Sequence, residues 1–239
     1  MIIRFGSNNE KFGIKYSSFN TAGLKYGITN DGLILYLPLD KKYNKTNTNQ
    51  NIITHGNVEF LNKDGVDCAY FNGSSYLEVT NNGFIKENSV NSLSIWIGEQ
   101  ISVSYPNFFF IQVKNKTGYA FIVSEMENIS NITFGGRSIQ DDSFQKNIIN
   151  FDNKWNHYLA IFDYINKSIE VYKNGIFQSI INVNFNSNVG IPSQDAPICI
   201  GSLNSDSSRY CNGYLSSIRL YNRRLNIDEI KLLSKEFKI

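Results

Sequence analysis

The chain has 239 residues, of which 41% are hydrophobic and 18% charged, and its formal net charge is +2. This length and apolar content suffice for one all-β domain with a sizeable core. The small net charge and the scattered Lys and Arg side chains exclude the clustered basic surface that nucleic-acid binding requires. No apolar run approaches the length of a membrane span.

The first 31 residues differ in pattern from the rest of the chain. Short apolar pieces there are separated by glycines, as in an arm with one or two short strands. We therefore predict an N-terminal arm over residues 1–31, which packs on the main domain or docks into a neighbour, and a β-sandwich domain over residues 32–239. The opening residues lack the apolar stretch of a secretory signal, so we expect an intracellular or virion-associated protein.

Strand signals become regular after Gly32. Two turns stand out: the Asn-Gly-Ser-Ser sequence at 72–75, and Asn174-Gly175, whose residue types suit a two-residue hairpin. Residues 125–150 show no clear pattern. The predicted strands are 33–37, 69–71, 76–79, 93–97, 108–113, 119–123, 158–162, 168–172, 176–183, 198–200 and 214–221.

One helix is predicted at the end of the chain. Asn226 is a suitable N-cap residue, and Glu229 stands three positions later, as in a capping box. An apolar stripe follows the helical period at Ile227, Ile230, Leu233 and Phe237. Because no helix alternates with the strands, the pattern excludes an α/β fold.

The three cysteines cannot form a closed disulfide framework, and their spacing matches no zinc motif. We interpret Cys68 and Cys199 as small buried hydrophobic residues. A disulfide between Cys199 and Cys211 stays open as an alternative.

Seven segments, in this order, resemble the laminin-G-like, concanavalin A-like family. They are LILYLPLD at 33–40, YFNGSSYLEV at 70–79, SLSIWI at 92–97, WNHYLAIFD at 155–163, IEVYKNG at 169–175, IG at 200–201 and NGYLSSIRLYNRRL at 212–225. The match is thin over 100–150 and leaves out residues 1–31.

The resemblance implies a two-sheet antiparallel jelly-roll β-sandwich with a short C-terminal helix. Two such sheets bury their inner faces against each other. His157 then belongs to a strand and is expected to serve in packing or hydrogen bonding rather than as a catalytic base. The residues expected to fill the inner layer are Leu35, Phe71, Trp96, Leu159, Tyr172 and Ile218.

The resemblance also raises the question of calcium. Members of the family often hold one structural calcium ion through the carboxylate that corresponds to Asp40 and an acidic residue of the last long strand. Calcium prefers several oxygen ligands, carboxylates above all. In this chain Ser216 and Ser217 replace the family's acidic pair, and Asn72 replaces the hairpin aspartate. We therefore predict that the site at Asp40 is degenerate and that no cofactor is required, with calcium bound at Asp40 as the alternative.

A glycoside hydrolase needs two carboxylates placed across the scissile bond. Some enzymes of the superfold that the resemblance implies carry these carboxylates in a three-acid motif on one strand. The nearest sequence in this chain is Glu125-Met-Glu127, in which the third acid is missing. Neither histidine lies in a nucleophile motif. The sequence thus favours a protein that is not an enzyme.

Saccharide binding requires aromatic rings beside polar side chains, commonly on loops. The candidate aromatic platforms are Tyr43, Tyr105, Phe144 and Tyr210. Their candidate polar partners are Arg137, Asp141, Asp142, Asn204 and Asp206.

The favoured function is a non-catalytic carbohydrate-binding or adhesion module whose partner is a glycan or a cell-surface polysaccharide. The alternative is a structural assembly protein of a virion or similar particle, such as a capsid decoration or a head or tail fibre component. In that case the N-terminal arm would contact a protein partner or another copy of the chain. A glycoside hydrolase is the third and least favoured reading.

Overall fold

A computed structural model describes residues 28–41, 52–79, 89–101, 107–112, 119–125, 131–137, 144–182, 197–202 and 210–237. Within these ranges the chain forms fifteen β-strands and one α-helix, which confirms the all-β prediction. None of the described helical segments could reach across a bilayer.

The strands alternate with turns along the whole described chain. They are β1 (Leu33–Leu37), β2 (Ile52–His55), β3 (Val58–Lys63), β4 (Val66–Asn72), β5 (Tyr76–Val79), β6 (Val90–Gln100), β7 (Asn107–Gln112), β8 (Tyr119–Glu125), β9 (Asn131–Arg137), β10 (Phe144–Asn150), β11 (Asn156–Asp163), β12 (Ser168–Lys173), β13 (Ile176–Asn182), β14 (Ile198–Ile200) and β15 (Asn212–Tyr221). The helix, α1, covers Ile227–Leu233.

Two antiparallel sheets form the sandwich, as the family resemblance implied. The described strands of the first follow the order β13-β12-β11-β6-β15-β4-β3, with β1 also paired to β15, and make an eight-stranded sheet. Those of the second follow the order β10-β9-β8-β7-β14-β5-β2 and make a seven-stranded sheet.

The main core lies between the sheets, and three of its predicted members are confirmed there. Leu35, Phe71 and Ile218 are fully buried in one apolar cluster. The other three predictions were wrong. Leu159 and Tyr172 belong to a second cluster beside the helix, and Trp96 belongs to a third, both on the outer face of the eight-stranded sheet.

The second cluster forms because α1 lies across that outer face. Asn226 caps the helix in a complete capping box with Glu229, as predicted. Ile230 and Leu233 are buried beneath the helix. Ile227 was wrongly assigned to the apolar stripe, since it is 45% exposed.

Four strands escaped sequence prediction: β2, β3, β9 and β10. The cysteine prediction is confirmed, since Cys68, Cys199 and Cys211 are all buried and free of disulfides. The predicted boundary at residue 31 stays a prediction. Ile28 packs in the cluster beside the helix, and the Thr29 carbonyl accepts a hydrogen bond from Tyr221 Oη.

Candidate functional site

The outer face of the seven-stranded sheet carries a group of aromatic and polar side chains where β2, β5 and β14 lie side by side. His55 pairs with Tyr76 across β2 and β5. On the next strand, Cys199 pairs with Glu78. Successive strand residues point to opposite faces, and the alternate residues of these strands are in the main core. The four side chains therefore share the outer face.

A tight turn places Tyr76 at the start of β5. The Asn72 side-chain oxygen accepts hydrogen bonds from the Ser74 backbone N–H at 3.1 Å and from the Ser74 hydroxyl at 2.9 Å. Gly73 adopts a φ of 80°, which an L side chain rarely tolerates. This local chemistry ends β4 and reverses the chain into β5.

Tyr210 lies beside this group because backbone hydrogen bonds fix the position of the next residue, Cys211. The Cys211 N–H donates to the Gly201 carbonyl at 2.8 Å, and its own carbonyl accepts from the Gly73 N–H at 3.0 Å. The Tyr210 ring then lies 6.1 Å from the Tyr76 ring, centroid to centroid. We call the surface formed by His55, Tyr76, Glu78, Cys199 and Tyr210 the His55–Tyr210 surface.

The geometry of this surface is that of a stacked pair with a polar edge. The His55 and Tyr76 rings are 4.2 Å apart and within 5° of parallel. His55 Nε2 lies 3.0 Å from Glu78 Oε2. Tyr76 is only 6% exposed, whereas the side chains of His55 and Glu78 are 37% and 29% exposed. The solvent-facing groups are therefore an imidazole, a carboxylate and the half-buried phenol of Tyr210.

Burial raises the pKa of two groups that lie beneath the solvent-facing side chains, the Tyr76 phenol and the Cys199 thiol. It raises the pKa of the Tyr76 phenol, with smaller contributions from Cys199 and Glu78. It also raises the pKa of the Cys199 thiol to about 12, and the Glu78 carboxylate adds to that effect. Because the thiolate is the nucleophilic form of cysteine, Cys199 stays a neutral thiol and does not act as a nucleophile near neutral pH.

Two further sequence-predicted saccharide-site residues lie within the described residues, and both stand apart from Tyr210. Arg137 and Phe144 pair with each other in the β9–β10 hairpin, at the far edge of the same sheet. Six of the predicted residues lie outside the described residues: Tyr43, Tyr105, Asp141, Asp142, Asn204 and Asp206. Of the acid pair considered for hydrolysis, Glu125 is the last residue of β8 and Glu127 lies outside the described residues.

Sequence reasoning missed His55, Tyr76, Glu78 and Cys199 as site residues. A usable signal existed in the hairpin segment, since Tyr76 and Glu78 are two residues apart and so share one strand face. No comparable signal marks His55, because the short strand β2 was itself not predicted.

The residues around Asp40 do not fit the calcium site that the family resemblance implies. Asp40 Oδ1 is buried and has no hydrogen-bond partner within the described part of the chain. The Ser216 hydroxyl donates to a backbone carbonyl at 2.6 Å, and the Ser217 hydroxyl donates to Glu236 at 2.5 Å. The Arg219 guanidinium donates a hydrogen bond to the Ser217 hydroxyl at 2.5 Å, which puts a positive charge beside one of the two serines that replace the family's acidic pair, whereas calcium needs oxygen ligands there. Within the described residues, no set of three or more His, Cys, Asp and Glu side chains could hold a metal ion.

Solved structures similar to this one share its fold at low sequence identity. The botulinum neurotoxin serotype D binding domain aligns with a TM-score of 0.66 and 17% identity, over 87% of this chain and 52% of that one. The binding domain of Paraclostridial Mosquitocidal Protein 1 aligns with a TM-score of 0.65 and 16% identity, over 85% of this chain and 52% of that one. This chain thus spans about half the length of these toxin binding domains.

A third similar structure is comparable in size. Domain 4 of AbnA, a GH43 extracellular arabinanase from Geobacillus stearothermophilus, was solved in complex with arabinotriose. It aligns with a TM-score of 0.64 and 18% identity, over 84% of this chain and 98% of that one. At such identities the likeness concerns the fold alone.

Comparison with curated proteins gave no match, whereas comparison with family models identifies the family. The model of the Laminin_G_3 family, described as the concanavalin A-like lectin/glucanases superfamily, matches residues 71–231. The match covers more than half of the chain, so this chain belongs to the concanavalin A-like lectin/glucanases superfamily.

Proposed function

We propose that this chain is a non-catalytic saccharide-binding module and that the His55–Tyr210 surface is its binding site. The observation that carries the proposal is the stacked His55–Tyr76 pair, with its ring planes 5° apart, beside a partly exposed carboxylate at Glu78 and the ring of Tyr210. Aromatic rings give an apolar surface for the C–H groups of a sugar. Imidazole, carboxylate and phenol groups supply the hydrogen bonds that fix its hydroxyls.

The placement of these groups favours binding of a small polar ligand. His55 and Glu78 already bond to each other at 3.0 Å, so their orientation is set before a ligand arrives, which reduces the entropy lost on binding. They stand on paired strands rather than on a free loop, and sites built on strands hold their geometry more accurately.

The same surface offers poor chemistry for hydrolysis. Glycoside hydrolysis uses two carboxylates on either side of the bond that breaks, and the His55–Tyr210 surface contains one, Glu78. Its thiol is held in the neutral form by burial. We therefore infer binding without turnover, and we expect no release of reducing ends when the protein is incubated with any saccharide that it binds.

The test is a glycan array probed with the full-length protein, with arabinotriose included because a structurally similar domain was solved with it. We expect a specific, saturable signal that is equal with calcium and with a chelator, because the residues around Asp40 do not suit a cation. A folded protein that binds no glycan on the array would contradict the proposal.

Substitutions locate the site. We expect Tyr210→Ala to lower the affinity for the best array ligand by about tenfold or more, as removal of a central aromatic contact commonly does. Glu78→Gln should weaken binding while keeping the fold, since the amide has nearly the same shape. The matched control is Phe177→Ala, which removes a 49% exposed aromatic ring from β13 of the other sheet. Equal losses in Tyr210→Ala and Phe177→Ala would show that the site lies elsewhere.

A further inference from the structure

A second aromatic surface lies on the opposite side of the sandwich, on the outer face of the eight-stranded sheet. Tyr70 of β4 and Tyr214 of β15 are directly paired across the two strands. Their rings lie 5.1 Å apart and are tilted by 36°. The neighbouring residue Phe71 is fully buried in the main core, so alternation along β4 puts Tyr70 on the outer face.

The described side chains that cover the outer face of the eight-stranded sheet do not extend over Tyr70 and Tyr214. Trp96 and Trp155, in the apolar cluster that Tyr214 flanks, are 3% and 8% exposed. Trp96 is covered by the edge of the Phe237 ring at 5.2 Å. Tyr70 and Tyr214 are only half-buried. They continue the aromatic layer into a part of the face that retains access to solvent.

Polar groups border the tyrosine pair. The Tyr70 hydroxyl donates to Asn212 Oδ1 at 3.4 Å, and Lys63 Nζ lies 5.7 Å from the centroid of the Tyr214 ring. Lys63 in turn contacts Glu99 at 3.5 Å. We call the surface formed by Tyr70, Tyr214, Asn212, Lys63 and Glu99 the Tyr70–Tyr214 surface. It combines two adjacent rings with an amide, an ammonium group and a carboxylate.

The charges around these rings narrow the class of ligand. Lys63 is matched by two carboxylates, Glu99 at 3.5 Å and Asp64 at 3.7 Å. A third, exposed carboxylate stands on the neighbouring strand, where Glu59 pairs with Tyr70. The local balance is negative, which opposes phosphate backbones and anionic polysaccharides. A neutral sugar needs no such charge and uses both rings and hydrogen-bonding groups.

From this geometry we propose that the Tyr70–Tyr214 surface is a second binding site for neutral saccharides, an inference that rests on the proposed saccharide-binding function. The two surfaces lie on the outer faces of two sheets that pack about 10 Å apart, and they face in opposite directions. One short oligosaccharide cannot reach both. A single chain therefore binds two saccharide molecules and cross-links long polysaccharides.

The experiment is a calorimetric titration of the full-length protein with arabinotriose or, if another glycan binds best on the array, with that oligosaccharide. We expect two equivalents bound per wild-type chain, and one equivalent for Tyr70→Ala/Tyr214→Ala. Tyr210→Ala, which damages the other surface, should also bind one. Tyr70→Phe/Tyr214→Phe keeps the rings and should still bind two equivalents, with an affinity within about tenfold of the wild type.

A second readout uses a long neutral polysaccharide built from the same sugar. The wild-type protein should cross-link the polysaccharide and produce turbidity. Tyr70→Ala/Tyr214→Ala and Tyr210→Ala, each of which keeps one surface, should not. A purely structural role for the tyrosines would lower the melting temperature of the double Ala variant while leaving two equivalents bound, and would overturn the inference.

The remaining outcomes separate this inference from the proposed function. One equivalent bound by the wild type and lost in Tyr210→Ala would support the proposed site and overturn the second one. One equivalent lost only in the Tyr70/Tyr214 variant would support the second surface and overturn the first. No binding by the folded wild-type protein would overturn both.

Discussion

At the scale of single residues, His157 shows how burial decides the role of an ionisable side chain. It is fully buried on β11, and its Nε2 lies 2.9 Å from the Ser94 hydroxyl. Burial lowers the pKa of His157 to about 3, and the Arg219 charge contributes in the same direction. The imidazole therefore stays neutral in the folded protein over the physiological range, as befits a packing residue.

This shift predicts a loss of stability on the acid side. In the unfolded chain His157 protonates near its ordinary pKa of about 6.5, whereas the folded protein does not take up that proton until about pH 3. The contribution of His157 is thus fully present above about pH 6.5 and is lost as the pH falls toward 3, by up to about 1.4 kcal/mol per pH unit.

Urea unfolding at pH 7, 6 and 5 measures this effect. We expect the free energy of unfolding of His157→Gln to depend less steeply on pH than that of the wild type. The control is His55→Gln, which keeps His157 and should keep the wild-type loss. If the free energy of unfolding depends on pH equally in the wild type and in His157→Gln, the burial of His157 does not cause the loss of stability at low pH.

At the scale of elements, the segment after α1 is tied to β15 by a buried ion pair. Arg219 donates to both carboxylate oxygens of Glu236, at 2.6 and 2.8 Å. The two side chains are 2% and 7% exposed. The Tyr36 ring packs against the guanidinium at 4.1 Å. Burial alone would lower the pKa of Arg219, but Glu236 outweighs it and raises that pKa, so the guanidinium stays charged.

Removing one partner should leave the other as an uncompensated buried charge. We expect Glu236→Gln to lower the free energy of unfolding by about 3–5 kcal/mol. Glu99→Gln breaks an ion pair whose carboxylate side chain is 49% exposed and should change stability by less than about 1 kcal/mol. Denaturant unfolding of the two variants gives the comparison, and similar small effects in both would mean that the buried pair is dispensable.

The elements also show how far the sequence could predict the fold. Strands β1, β5 and β14 were predicted to the residue, because short apolar runs there are bounded by clear turn signals. Trp96 was assigned to the wrong face because β6 is buried on both sides along most of its length. Once α1 and Trp155 cover the outer face, alternation no longer distinguishes inside from outside.

The candidate site was harder to predict than the fold. Tyr210 was identified from its residue type in a polar loop, but its neighbours come from β2, β5 and β14, which are distant in sequence. His55 reaches Tyr76 only through the pairing of β2 with β5. Pairing between strands so far apart depends on the closed sandwich, and no local pattern encodes it.

At the scale of the whole molecule, the main core between the sheets and the apolar clusters on the outer face of the eight-stranded sheet make the sandwich a scaffold for surface sites. Its main core draws on both sheets, from Leu35 to Leu220. The saccharide-binding proposal needs only this scaffold. The alternative, assembly into a virion or similar particle through the N-terminal arm, would make residues 1–31 essential.

Deletion of residues 1–27 separates the two functions, because it retains Ile28, which packs beside the helix. If saccharide binding is the function, the shortened protein should keep its array signal and its melting temperature within a few degrees. If assembly is the function, light scattering should show multimers of the full-length chain that disappear on deletion. A full-length protein that is monomeric at all concentrations would count against assembly.

The most direct test of the central claim is an NMR titration of the ¹⁵N-labelled protein with the saccharide that it binds best. We expect saturable chemical-shift changes at the backbone amides of His55, Tyr76 and Glu78 on β2 and β5, and at that of Tyr210. These changes should be much smaller on titration of Tyr210→Ala at the same saccharide concentrations. Unchanged resonances at all four residues, in a folded protein that binds the saccharide, would place the binding site elsewhere and contradict the account.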